Sequence, residues 1–480
     1  MITSLRIKNF KAWKDTKPIK FAPLTVFFGN NSSGKSSIQQ FLLMLKQTVD
    51  SSDRKTVINP GNVLSSVDLG SFEEMIFGRD SGRRLAFDLE WDLTKPLRIK
   101  DPESKFGCEG TSMRFEAVIG MLGEKSKLIA VERFGYHLRQ RSRAPETPDV
   151  MQAWLERREP HIAEYQLGAP PYELRRAQKE KHWQLGSPTK FYGFPDQITA
   201  SYKNAAFVHD FSLEMERLFR SISYLGPMRS KAQRLYNWTG GEPESVGFSG
   251  EFTISALLAA KDRIISVSPE EDGKPAKGLR FQQLIAKRLQ LMGLIERFKV
   301  QQISAHRKEY EVKVRTFGAP LWVDLPDVGF GVAQILPVLV QCFYATPGSI
   351  LCIEQPEVHL HPCAQEHLAD LFIDVLRSRE NRADRNVQLI IESHSEHFLR
   401  RLQLRIAEGT FSNKDVAAYF VKPGRTGAKL EELEVDEYGN IKNWPDNFFG
   451  DSLNDLFKMS KAGMERRKSE RLLTQPEKNK

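Results

Sequence analysis

Cysteine is scarce in this chain of 480 residues: Cys108, Cys342, Cys352 and Cys363 are the only four, with no CxxC pair among them. That spacing excludes a disulfide framework and a paired-cysteine zinc ribbon, and a reduced compartment is expected. Long apolar runs are missing too. No window approaches 18 uncharged apolar residues, so no membrane-spanning helix is expected. The opening Met1–Phe10 lacks the apolar stretch of a secretory signal. No period of 20–50 residues recurs and no heptad run is sustained, which argues against solenoids and long coiled-coil arms. Charge of one sign is in small excess: 70 Lys+Arg against 61 Asp+Glu gives +9, weak ground for nucleic-acid binding. The tail from Lys458 to Lys480, with 8 Lys+Arg and 3 Asp+Glu, supplies +5 of it. The expectation is a soluble, cytoplasmic protein with no membrane partner. At 40% hydrophobic the chain has ample material for a core, and at about 150 residues per domain its length suggests three units.

What is present begins at the N-terminus. Alternation in Ile2, Leu5 and Ile7 marks one strand, and the almost wholly apolar Leu24-Thr25-Val26-Phe27-Phe28 marks a second, of the kind buried on both faces of a sheet. It runs into Gly29-Asn30-Asn31-Ser32-Ser33-Gly34-Lys35-Ser36-Ser37, followed by a helical pattern in Ile38, Phe41, Leu42 and Leu45. Gly29, Gly34, Lys35 and Ser36 satisfy GxxxxGK[ST] in the strand–loop–helix setting that a phosphate loop needs. Its amides and the helix N-terminus would face phosphates. Lys35 would reach the β- and γ-phosphates of ATP, and the Ser36 hydroxyl would ligate Mg2+.

Buried-strand chemistry returns late in the chain. Ile350-Leu351-Cys352-Ile353 ends in Glu354-Gln355-Pro356-Glu357, and Val387–Ile391 ends in Glu392-Ser393-His394-Ser395. A helix from about 363 to 379 lies between, so the pair reads as a βαβ unit in a parallel sheet. A carboxylate at a strand's C-terminal edge suits metal binding, which assigns Glu354 to the metal side. Gln355 stands where a catalytic carboxylate is expected: an amide can orient a water but cannot take its proton. Glu357 is the alternative base. His394, at the same edge, is a candidate γ-phosphate contact. Gly329 and Gly331, just before an apolar helix at Val332–Tyr344, form a second phosphate-facing candidate. His359 and His361 with Cys352 and Cys363 fit no zinc spacing; Arg229 and Arg234 are read either as phosphate contacts or as surface residues. Further helices are expected at about 151–158, 209–221 and 279–298, and the Arg-, Glu- and Pro-rich stretch 133–190 reads as a solvated insertion.

Phosphate loop, Gly-rich signature, acidic strand end and strand-end histidine, in this order, resemble an ATP-binding-cassette ATPase of the SMC/RecF/OLD-like kind. Leu5-Arg6-Ile7-Lys8-Asn9-Phe10 is similar to that family's opening strand. More narrowly, Val67–Phe72, Tyr224-Leu225-Gly226-Pro227-Met228-Arg229 and Ile353–Pro362 resemble bacterial AAA-type ATPases with a C-terminal DUF3696 domain, which Ile441–Phe449 resembles. The fold class implied is α/β: an ABC-type head with a mixed sheet split in sequence (1–80 and 321–425), an inserted α+β or helical lobe (81–320) and a short C-terminal domain with basic tail (426–480). The resemblance also implies homodimers or higher oligomers built as head-to-tail ATP sandwiches, with Lys35 of one subunit and Gly329 and Gly331 of its partner enclosing one nucleotide. Three departures speak for slow turnover: Val328 instead of the usual signature serine, Gln355, and no glutamine between Gln47 and Gln140, which leaves Asp68 as substitute for the lobe-coupling residue. No HNH, Toprim or DxD pattern is present, so the chain reads as a motor or sensor that controls a separate effector. By resemblance to antiphage systems such as Septu, that effector is a nuclease, HNH-type favoured, or a toxin. A RecF-like DNA-repair ATPase binding DNA directly, and a non-hydrolysing ATP sensor or scaffold, are the alternatives.

Overall fold

The computed structural model describes every residue except 123–127, 141–147, 160–163, 178–183, 268–277, 446–447, 450–457 and 468–480. Its centre is a six-stranded sheet in the order Ile222–Leu225, Ile350–Glu354, Gln388–Glu392, Leu24–Gly29, Val416–Lys422, Lys429–Glu432. The first five strands are parallel and the last is antiparallel. The sheet is therefore α/β and mixed, and both ends of the sequence build it. Strands 24–29, 350–354 and 388–392 are buried at every position, which explains their unbroken apolar runs.

Side chains that alternate along these strands separate into two cores. Phe27, Ile350, Cys352, Ile390 and Tyr419 face the helix Lys35–Asp50, whose Ile38, Phe41, Leu42 and Leu45 are fully buried. Beyond that helix lies an eight-stranded antiparallel sheet that includes Ile2–Phe10, Leu85–Lys100, Gly107–Met121, Ile129–Arg139 and Asp149–Arg157. On the other side, Val26, Phe28, Leu351, Ile353, Leu389 and Ile391 pack against helices Phe281–Leu291, Phe330–Tyr344, Pro362–Arg377 and Glu396–Ala407. One buried amide ties the two sheets: Gln388 Oε1 accepts from the Ile2 N–H at 2.9 Å, and its Nε2 donates to the Ile2 and Ala22 carbonyls at 2.8 and 3.1 Å.

Three expectations are corrected. Residues 151–158 are strand rather than helix: Met151, Ala153 and Leu155 point into the core while their neighbours do not, a period of two. With Phe134, Tyr136 and Leu138 fully buried, the described part of 133–190 extends the antiparallel sheet instead of forming a solvated insertion. The helix expected over 279–298 stops at Leu291, because Gly293 adopts a left-handed φ of +69°, a conformation that ends helices. The chain resumes as strand at Arg297–Gln302.

Candidate functional site

Parallel register brings the chemistry to one edge. Glu354 pairs level with Glu392, Glu392 with Phe27, and Val421 with Gly29, so four strand ends converge where open α/β sheets bind ligands. Gly29 leaves its strand with φ +144°, and a Cβ there would sit 2.3 Å from the Val421 carbonyl oxygen. Only glycine fits. Gly34, at φ +105°, caps the helix Lys35–Asp50 with no side-chain cap and no acidic residue in the first turn. Its first amides are thus left for an anion. Trp13 braces the loop by donating to the Gly34 carbonyl at 3.1 Å.

Lys35 is folded onto this loop. Its Nζ donates to the carbonyls of Gly29 at 3.0 Å and Asn30 at 2.7 Å, and lies 3.9 Å from Glu392 Oε1. Burial lowers the ammonium's pKa, opposed by the charges of Glu392, Glu357 and Glu354. Glu392 is itself pushed up by burial, against a hydrogen bond from the Ser36 hydroxyl and the charge of Lys35. Glu354 is raised to about 7 by burial and then by Glu392, while the Tyr224 hydroxyl, 3.0 Å from Oε1, stabilises its ionised form. Burial and the neighbouring Glu354 push the Tyr224 hydroxyl far up, so it remains a donor. Burial also raises Glu357, whose Oε1 accepts the His394 amide at 2.5 Å. His394 is lowered by burial and by Lys35, which favours the neutral ring. Gln355 adopts a left-handed φ of +44°, with its N–H donating to the Glu392 carbonyl at 2.8 Å. Such a conformation in a non-glycine residue is costly and occurs disproportionately at functional sites.

A cavity of about 910 Å³ gathers these groups: Asn31 through Ser37 on one side, Gln355, Glu357, Glu392 and His394 on the other. Gly29 and Asn30 do not line it but hold Lys35 through their carbonyls, and Glu354 lies outside the lining, against Tyr224. Gly329 and Gly331 lie elsewhere: Gly329 is exposed at the N-terminus of the helix Phe330–Tyr344, and Gly331 abuts the His359 carbonyl. His361 caps the helix Pro362–Arg377 and Cys352 is buried in its strand. Asp68 accepts from the Gly70 amide in a local turn. Arg234 pairs with Asp324 and Asp327 on the surface, whereas Arg229 turns inward to the Glu354 carbonyl.

Sequence reasoning missed two members of the site. Glu392 becomes legible only through strand register. Lys11, from the turn after Ile2–Phe10, lines the cavity and donates to Gln40 Oε1 at 2.7 Å; its signal was a basic residue just past an opening strand, with no spacing rule to place it. The residues suit Mg2+ with a nucleotide. Glu392 Oε2, Glu357 Oε2 and the Ser33 hydroxyl are buried without a hydrogen-bond partner, polar atoms that a cation and phosphate oxygens would satisfy. Among the described residues no group of three or more His, Cys, Asp or Glu could hold a metal alone. Mg2+ at phosphate sites needs only one or two protein groups, with phosphates and water completing its shell.

A phosphate loop between a buried parallel strand and its helix, facing carboxylates from two adjacent strand ends, defines a phosphate-loop α/β protein. Residues 1–80 and 229–399 match the AAA ATPase domain family; the chain belongs to that family. Residues 411–459 match a domain described as a protein of unknown function, DUF3696. Among solved structures, the chain is similar to the SMC head domain from Thermotoga maritima, with 11% identity, 90% of this chain and 99% of that chain covered, and a TM-score of 0.40. It is similar also to the Smc head domain with an extended coiled coil bound to the C-terminal domain of ScpA from Pyrococcus furiosus, with 10% identity, coverage of 90% and 96%, and a TM-score of 0.38. A comparison with curated proteins found no match. Among the described residues no helix is long and apolar enough to cross a membrane.

Proposed function

We propose that the chain binds ATP with Mg2+ at this cavity, hydrolyses it slowly, and uses the bound nucleotide to assemble with further copies of itself and control a separate effector. The observation that carries the reading is Lys35: a buried ammonium held by two loop carbonyls, ready to exchange them for phosphate oxygens. Asn31 to Ser37 would cradle the phosphates. Ser36 and Glu354 would hold Mg2+, with Glu392 beside them, and the metal would neutralise charge developing on the transferred phosphoryl group. Lys11 would add a second cation at the rim. His394, neutral and facing the cavity, would contact the γ-phosphate through a ring nitrogen.

Slow hydrolysis is inferred from the base positions. Gln355 can orient a water, and Glu357 spends one oxygen on the His394 amide. Should neither take the proton, the protein is a non-hydrolysing sensor, the reading that Gln355 specifically favours. Assembly as a head-to-tail sandwich is supported by Gly329 and Gly331 lying outside the cavity of their own chain, at an exposed helix N-terminus. The effector, a nuclease or toxin in antiphage defence, rests on the sequence resemblance. Lys35→Ala tests the core of this proposal: ATP affinity measured by calorimetry is expected to fall roughly 10- to 100-fold, the worth of a charge-assisted contact. Unchanged affinity would overturn it.

A further inference from the structure

Tyr224 and Arg229 stand behind Glu354, and nothing in the function proposed above employs them. Both come from the turn Tyr224-Leu225-Gly226-Pro227-Met228-Arg229, where the strand Ile222–Leu225 runs parallel to Ile350–Glu354 with Tyr224 level with Cys352. The Tyr224 hydroxyl donates to Glu354 Oε1 at 3.0 Å, and Arg229 Nη2 donates to the Glu354 main-chain carbonyl at 3.1 Å. Among the described residues nothing hydrogen-bonds the second carboxylate oxygen. One oxygen is taken, the other is left.

Arg229 is half-buried with an unusual guanidinium, as comparison with Arg385 makes plain. Arg385 is fully buried and donates to the Cys342, Phe343 and Ala345 carbonyls and to the Ser378 hydroxyl, closing the C-terminal end of the helix Phe330–Tyr344. Its one unmatched nitrogen, Nε, lies 3.7 Å from Glu380. Structural capping accounts for that side chain. Arg229 makes a single hydrogen bond, and its Nε and Nη1 are buried with no partner. Burying a guanidinium with two unmet donors is unfavourable. The nearby negative charges of Glu354 and Glu357 offset that cost. A side chain kept at such a cost beside a strand end needs an explanation other than packing.

We propose that Tyr224 and Arg229 are positioning residues that present Glu354 to a divalent cation through one oxygen: Tyr224 ties down Oε1, and Arg229 fixes the main chain from which the carboxylate projects. This rests on the reading of Glu354 as the metal-side carboxylate. Partners of metal ligands are commonly worth 10- to 100-fold in metal affinity, because an untethered carboxylate must be ordered when the ion binds.

The test uses the full-length protein, titrating Mg2+ at fixed ATP and reading nucleotide binding by calorimetry, with ATP binding in EDTA as baseline. Tyr224→Phe removes one hydroxyl and keeps the ring. Its half-saturating Mg2+ concentration is expected to rise about 10- to 100-fold, while ATP affinity in EDTA stays at the wild-type value and the Tm moves by only a few degrees. Arg229→Lys, which keeps the charge and a donor, should shift the Mg2+ requirement less than Arg229→Met. An unchanged Mg2+ requirement in Tyr224→Phe, alongside a raised one in Glu354→Gln, overturns the positioning role. So does a Tyr224→Phe protein that loses Tm and metal-free ATP binding with its Mg2+ requirement intact, since that is packing alone. If Glu354→Gln also leaves the requirement unchanged, the metal reading of Glu354 has failed and the inference falls with it.

Discussion

Three carboxylates, Glu354, Glu357 and Glu392, are buried at one sheet edge, and burial raises the pKa of each. For Glu354 the folded value is about 7 against an ordinary 4.5. Between those values the unfolded chain binds fewer protons than the folded one, so stability falls as pH rises through the window. Without metal or nucleotide, the wild type is therefore expected to lose stability relative to Glu354→Gln from about pH 4.5 to 7, with the difference flat above. Urea midpoints across that range check it, and parallel pH profiles would remove Glu354 as the cause. At this scale the phosphate loop, Glu354 and His394 were legible as candidates, because each sits in a local pattern of strand, loop or helix start. Glu392 was not, since what makes it a site residue is its level pairing with Glu354 and its nearness to Ser36 and Lys35, none of which is local in sequence.

Elements with one consistent period were readable, and mixed signals were not. The strand Leu24–Gly29, the helix after it and the 350–392 βαβ unit each carry an unbroken apolar pattern. The strand Asp149–Arg157 carries polar residues at Asp149, Gln152, Glu156 and Arg157, and Met151 and Leu155 are four apart, a spacing that a helix face shares. Ala153 decides between the two, because it is buried in the strand but would turn to the far side of a helix. Leu155→Ala is expected to cost about 2–5 kcal/mol and Ala153→Leu about 1–3 kcal/mol by overpacking. Glu156→Ala, on the outer face, should stay within about 0.5 kcal/mol. Chemical denaturation of the three variants measures this, and a tolerant Ala153→Leu would contradict the alternation.

In the whole molecule, the candidate nucleotide cavity is assembled from segments more than 300 residues apart, and Gln388 locks the opening strand to the sheet that carries it. One candidate element stays outside that assembly. Phe330, between Gly329 and Gly331, is 74% exposed, and its ring lies 6.3 Å from that of His359, a residue of the cavity lining. A single exposed apolar side chain is ordinary on a protein surface; what marks Phe330 is its place between Gly329 and Gly331, beside the cavity-lining His359. In the proposed sandwich this face meets the nucleotide of a second copy, so Phe330→Asp would bring a carboxylate against phosphates across the interface. The expected outcome is ATP affinity of the single chain close to wild type, with ATP-dependent oligomers lost in sedimentation or light scattering. Phosphate release, measured on the same samples, should fall with the oligomer if turnover needs two chains. Oligomers that persist in Phe330→Asp would move the interface away from the signature helix, and the glycines beside it would lose their proposed role.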